Sequence, residues 1–167
     1  MRGRTVTRME PLDIGGPGRG DRDRTHFTLE IPTDLGLIDS AISYLAGRLK
    51  DFGYGGSRLT LNFRVGVSEA LANAMIYGNA RDPSKQVRVE VDLGPEQVAV
   101  VVRDEGRGFD PGTVADPTLP ENLERPGGRG IFLIRELMDE VDYAGCGNCV
   151  RLVLYRGEPA QPLSRAS

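Results

Sequence analysis

Two valine-rich runs, Gln86 to Leu93 and Gln97 to Arg103, stand on either side of Gly94-Pro95. Such residues fit a pleated, half-buried backbone, and a short turn between two runs reads as a hairpin. A sheet is therefore predicted, and the rest of the chain is read as what completes and covers it. Thr25 to Ile31 alternates like a strand, with Phe27, Leu29 and Ile31 on one face. Glu140 to Ala144 and Val150 to Tyr155 form a second hairpin. From Asp34 to Phe52, Leu35, Ile38, Ile42, Leu45, Leu49 and Phe52 recur at helical spacing, and Gly53 closes the helix. Beyond Gly55-Gly56 a second helix starts near Ser57 and stops at Gly78, with the stripe Leu59, Phe63, Val67, Leu71. A third runs from Ile131 to Met138. Segregated helices and mostly hairpin-connected strands give an α+β fold: a two-layer α/β sandwich whose mixed, mostly antiparallel sheet carries the helices on one face.

At 167 residues the chain fits one domain with tails. Residues 1–24 mix Gly, Pro and Arg without apolar periodicity and read as a flexible tail. Residues 25–157 form the domain, and 158–167 a short C-terminal tail. The run Gly15 to Gly20 lacks a preceding strand, a following helix and a Gly-Lys-Ser/Thr ending, so it is no P-loop. A net charge of -3 and a pI near 5.3 give no field that favours nucleic acid. With no apolar run of membrane-spanning length and no leader pattern, a soluble cytoplasmic protein without direct membrane contact is expected. Cys146 and Cys149 make a lone Cys-Gly-Asn-Cys far from His26, the single histidine, so zinc and histidine-assisted nucleophilic chemistry have little to work with. Its Gly-Asn centre suits a hairpin turn.

Three stretches are left over by this reading. On the second helix, Glu69 and Asn73 are four residues apart and point the same way, among Ala70, Leu71, Ala74 and Met75. By itself the pair fits two solvated polar side chains as well as a ligand site. After the second valine-rich strand comes Asp104-Glu-Gly-Arg-Gly-Phe-Asp110. Asp104 can accept a hydrogen bond from an exocyclic amine, which reads adenine and rejects guanine, while Gly106 and Gly108 permit close backbone approach. From Glu105 to Arg129 periodicity is lost and prolines recur at 111, 117, 120 and 126, as in a functional lid or a disordered loop. That loop ends in Gly127-Gly128-Arg129-Gly130, whose amides at a helix start suit phosphate oxygens. An ordinary strand-to-loop turn and a lid hinge are the plain alternatives.

In this order, Glu-x-x-x-Asn, Asp-x-Gly-x-Gly and Gly-x-Gly resemble the N, G1 and G2 boxes of the GHKL ATPases. The resemblance implies a Bergerat-type fold with ATP between the helix layer and the lid, and Mg2+ held by Asn73 with phosphates and waters. Glu69 is then placed as a base toward an incoming hydroxyl or water. Within that superfamily the chain is similar to the anti-sigma factor serine kinases of bacterial partner-switching systems, over about residues 25–156. Histidine kinases fit less well, since there is no room for a phosphoacceptor helix. The resemblance implies a serine kinase that sequesters a sigma factor and phosphorylates an anti-anti-sigma partner of the STAS type. Members commonly dimerise, so a homodimer is compatible with it. The rival reading is a non-catalytic ATP-binding module that only sequesters its partner. Two departures stand out: Tyr77 replaces a histidine common before the glycine that ends the N-box helix, and Arg125 lies one residue further from the Gly-x-Gly than in sporulation-type members. Either Arg125 or Arg129 could meet the γ-phosphate.

Overall fold

A computed structural model describes residues 24–122 and 128–157. Its five strands are β1 (Thr25–Pro32), β2 (Gln86–Leu93), β3 (Gln97–Arg103), β4 (Glu140–Ala144) and β5 (Cys149–Tyr155). They lie in the order β1-β2-β3-β5-β4, and every pairing is antiparallel. The sheet is thus antiparallel throughout the described residues, where the sequence reading allowed for a mixed one. The reason is topological: the connection from β1 to β2 reverses the heading, the one from β3 to β4 keeps it, and β5 returns between β3 and β4 and runs against both.

Alternation decides which face is buried. Phe27, Val91, Val100, Leu152 and Val141 stand in one row straight across the five strands, and Leu29, Val89, Val102, Val150 and Tyr143 in the next. Helices cover this face. They are α1 (Ile38–Asp51), α2 (Ser57–Asn73) and α3 (Arg129–Leu137). α1 buries Ile42, Leu45 and Leu49, and α2 buries Leu59, Phe63, Val67 and Leu71. Each such side chain is worth about 1.5–3 kcal/mol when fully withdrawn from water. The open face carries Glu30, Arg88 and Glu90, linked as surface ion pairs.

The two amphipathic helices that were expected are present, with local differences at their ends. Asp34 caps a 3₁₀ turn at Leu35–Leu37, its carboxylate accepting from the Gly36 N–H at 2.9 Å, before α1 proper begins. α3 is held differently from the others. Only Ile134 of its nine residues is buried. Its C-terminal end is tied to α2 by Asn62, whose Nδ2 donates to the Leu137 carbonyl at 2.8 Å, and by the Arg58–Asp139 ion pair just beyond. The aperiodic stretch after β3 contains 3₁₀ turns at Pro111–Thr113 and Pro120–Asn122. The tails expected at 1–24 and 158–167 lie outside the described residues, save for Arg24.

Candidate functional site: a cleft between the second and third helices

The second helix does not end where its α-helical hydrogen bonds do. After Asn73 the chain continues through a wider π turn, Ala74–Gly78, in which the Asn79 N–H donates to the Ala74 carbonyl at 2.7 Å. Such widened turns recur at functional sites. Here it lines a cleft of about 510 Å³, within the range of small-molecule sites. Glu69, Asn73 and Tyr77 come from the second helix and its extension, Asp104, Gly108 and Phe109 from the exit of β3, and Gly128, Arg129 and Gly130 from the start of α3. Tyr143, Asn148 and Cys149 close it from the β4–β5 hairpin.

At one end the cleft is built around Asp104. Its backbone N–H donates to the Asn148 carbonyl at 3.0 Å, and Asn148 Nδ2 returns a bond to the Asp104 carbonyl at 3.2 Å. Its carboxylate accepts from the Gly106 N–H at 2.7 Å through one oxygen. Burial pushes the Asp104 carboxyl above its ordinary value, opposed by that Gly106 bond and by the positive charge of Lys85. Glycine is required on both sides of this carboxylate. A Cβ on Gly78 would lie 2.3 Å from Asp104 Cγ, and one on Gly106 would lie 2.1 Å from the Gly78 carbonyl oxygen. The tip of the hairpin packs just as closely, since a Cβ on Gly108 would be 2.0 Å from the Cys146 carbonyl oxygen. Phe109 and Tyr143 meet edge to face, with centroids 5.4 Å apart. Burial raises the Tyr143 phenol, with Arg135 opposing.

At the other end the start of α3 descends on α2. A Cβ on Gly130 would sit 2.7 Å from Glu69 Oε2 and 3.4 Å from both amide atoms of Asn73. Glu69 and Asn73 are half-buried, so a carboxylate and an amide face the glycine-rich helix start across almost no space. No group of three or more His, Cys, Asp or Glu able to hold a metal occurs among the described residues, and both cysteines are free. For Mg2+ that is no obstacle, because the ion takes few ligands from protein and keeps several waters. One amide oxygen at Asn73 beside the Glu69 carboxylate fits such a site.

Seven of the site residues read from the sequence therefore line one cleft: Glu69, Asn73, Asp104, Gly108, Gly128, Arg129 and Gly130. Gly106 does not line it and packs beneath, against Gly78. Arg125 and Gly127 lie outside the described residues. Gly78, Tyr143 and Asn148 were missed. Gly78 read simply as the helix stop, and the hairpin residues belong to the cleft only through pairing that no local pattern announces.

Residues 31–154 match the family model described as the histidine kinase-like ATPase domain. The chain belongs to that family. As a histidine kinase-like ATPase domain it takes ATP, and its relatives carry names that point the same way. "Serine-protein kinase RsbW" of Oceanobacillus iheyensis is 25% identical over 122 residues, covering 70% of this chain and 77% of that protein. Its namesake in Bacillus subtilis is 29% identical over 119 residues, 66% of this chain and 70% of that protein. "Anti-sigma F factor" of Anoxybacillus flavithermus is 39% identical over 80 residues, 46% of this chain and 53% of that protein. The two-layer antiparallel architecture is that of this ATPase domain, and the protein is similar to kinases and anti-sigma factors within it. Among the described residues no helix is long and apolar enough to cross a membrane.

Proposed function

We propose that this chain is an ATP-dependent protein serine kinase that sequesters a sigma factor and phosphorylates an anti-anti-sigma partner of the STAS type. One observation carries the reading: Gly130 closes directly over Glu69 and Asn73, so a glycine-rich helix start faces a carboxylate and an amide. Asp104, through the oxygen that Gly106 does not engage, would accept from the adenine amine. The amides around Gly128 and Gly130 would meet phosphate oxygens, with Arg129 or Arg125 at the γ-phosphate. Mg2+, held through Asn73, would neutralise phosphate charge.

Phosphoryl transfer leaves the protein mainly positioning and charge stabilisation to supply. In this site Glu69 takes the proton of the partner's serine hydroxyl as that oxygen bonds the γ-phosphorus. The bond to the β–γ bridging oxygen breaks, and ADP leaves. Phosphate on the serine adds charge and acceptor oxygens at the docking surface, which weakens the complex and makes the pair a switch. The domain spans residues 25–157 in this reading, works in the cytoplasm, and is compatible with a homodimer.

The test is phosphate transfer from labelled ATP to partners that co-purify with the full chain, with phosphosite mapping. Glu69→Gln is expected to keep ATP affinity within about threefold and to slow serine phosphorylation by about 10²- to 10⁴-fold. Wild-type protein that binds ATP but transfers nothing would leave a sequestering module in place of the kinase. A Glu69→Gln variant as fast as wild type would remove the base from the mechanism.

A further inference from the structure

Asn79 is the one fully buried polar side chain among the described residues whose exposure is zero, and it follows directly on Gly78. Its Nδ2 donates to Thr33 Oγ1 at 2.9 Å and to the Gln86 carbonyl at 2.9 Å, while its Oδ1 accepts from the Glu105 N–H at 2.8 Å. One amide thus ties the end of β1, the start of β2 and the exit of β3 to the end of the second helix. Only one orientation satisfies all of these groups. Turned over, the amide would present its NH2 to the Glu105 N–H and its oxygen to the Gln86 carbonyl.

We propose that Asn79 is a positioning residue that aims the Asp104 carboxylate at the adenine amine, an inference that rests on the nucleotide reading given above. The Glu105 nitrogen belongs to the peptide that leaves Asp104, so the bond from Asn79 fixes that peptide plane. The peptide that enters Asp104 is fixed by Asn148, which accepts from the Asp104 N–H. With the backbone clamped on both sides, and with Gly78 and Gly106 packed against the carboxylate, the side chain has one direction left to it. A second bond locks the same corner: Glu105 Oε2 accepts from the Gln86 N–H at 2.6 Å. The chain departs from Asn79 through Ala80 at φ 51° and Arg81 at φ 59°, a left-handed pair that non-glycine residues adopt only when their surroundings dictate it. A buried asparagine kept solely to fill the core would need none of this convergence on Asp104.

The experiment compares ATP with inosine triphosphate, which carries an oxygen in place of the adenine amine. Calorimetric affinities of both are measured for the full-length wild type, Asn79→Ser and Asn79→Asp, with thermal unfolding alongside. Wild type should prefer ATP. Asn79→Ser should bind ATP about tenfold more weakly and inosine triphosphate within about twofold of wild type, so that the preference collapses. An equal loss for both nucleotides, with the preference intact, would show a purely structural residue and overturn the inference while leaving the adenine reading standing. A wild type without preference would remove that reading and the inference together. If Asn79→Ser folds poorly it is measured in trimethylamine N-oxide, which favours the compact state. If it still does not fold, Asn79→Asp decides: this isostere keeps the acceptor facing Glu105 and must keep the preference within about twofold despite a lower Tm. Loss of preference in that variant also overturns the proposal.

Discussion

The two ends of the cleft are made from the same kinds of residue and held in opposite ways. Around Asp104 a glycine meets a backbone carbonyl, two asparagines hold the flanking peptides, and little can move without breaking several contacts at once. Around Glu69 and Asn73 the opposing wall is the first turn of α3, a helix that buries a single side chain and is anchored at its far end. In the proposed function the first end would measure a base, and the second would admit and release a phosphate. Within a fold whose core is continuous, the difference lies in whether a glycine faces backbone or the tip of a flexible side chain.

Paired glycine substitutions break this contrast most directly. Gly106→Ala places a methyl against the fixed Gly78 carbonyl, an overpacking expected to cost about 2–3 kcal/mol and to lower Tm by roughly 8 °C in a thermal melt. Gly130→Ala clashes only with the end of Glu69, which can swing aside, while Asn73 stays at ordinary contact distance and alanine favours the helix. Its Tm should stay within about 2 °C of wild type while phosphate transfer falls. Equal melting temperatures for the two variants would erase the distinction between the ends.

Hydrogen exchange sharpens the same comparison. On binding a non-hydrolysable ATP analogue, protection across 112–122 should rise by about tenfold, whereas the amides of Asp104 and Glu105, already bonded to Asn148 and Asn79, should change far less. Matching changes in both segments, with binding confirmed, would argue against a separate lid.

The smallest effect concerns charge. Because burial raises the Asp104 pKa, ionising this group costs the fold: the destabilisation is absent below the ordinary value of 3.8 and complete once the pH has passed the raised folded value. Asp104→Asn keeps an acceptor for Gly106 and removes that cost. At neutral pH the variant should melt about 2 °C above wild type, and the gap should close as the pH falls toward 3.8. It should also lose its preference for ATP over GTP. A variant that melts below wild type at neutral pH would mean that the ionised carboxylate stabilises the empty fold.

Much of this was legible because alternation is a strong signal. The limits read for the strands at Gln86–Leu93, Gln97–Arg103 and Glu140–Ala144 match those observed, and β5 begins one residue earlier than read, at Cys149. The three boxes were legible as residues but not as geometry. Gly106 looked like a place for a base to approach, yet its missing side chain makes room for the Gly78 carbonyl. Asn79 was invisible as a partner of Asp104, because a polar residue after a helix-ending glycine looks like any other turn residue, and its bonds reach Thr33, Gln86 and Glu105 only after three strands have assembled. The widened turn was hidden for a related reason: apolar residues continue through Ala74, Met75 and Ile76, so the pattern runs on while the hydrogen bonding changes.

That widened turn makes the spacing between the boxes a matter of counting. An α-helix advances about 100° per residue and a π turn holds one residue more in about the same rotation, so letting Ala74–Gly78 close as ordinary α-helix with all its residues kept would turn everything after it by about that angle. Glu69 and Asn73 would keep their places, while Gly78 would swing off the Asp104 carboxylate and a side chain would arrive where none fits. What this stretch must keep, besides Gly78, is its wider hydrogen bonding: a variant whose turn closed as α-helix could keep every named site residue and still hold the two halves of the cleft out of phase.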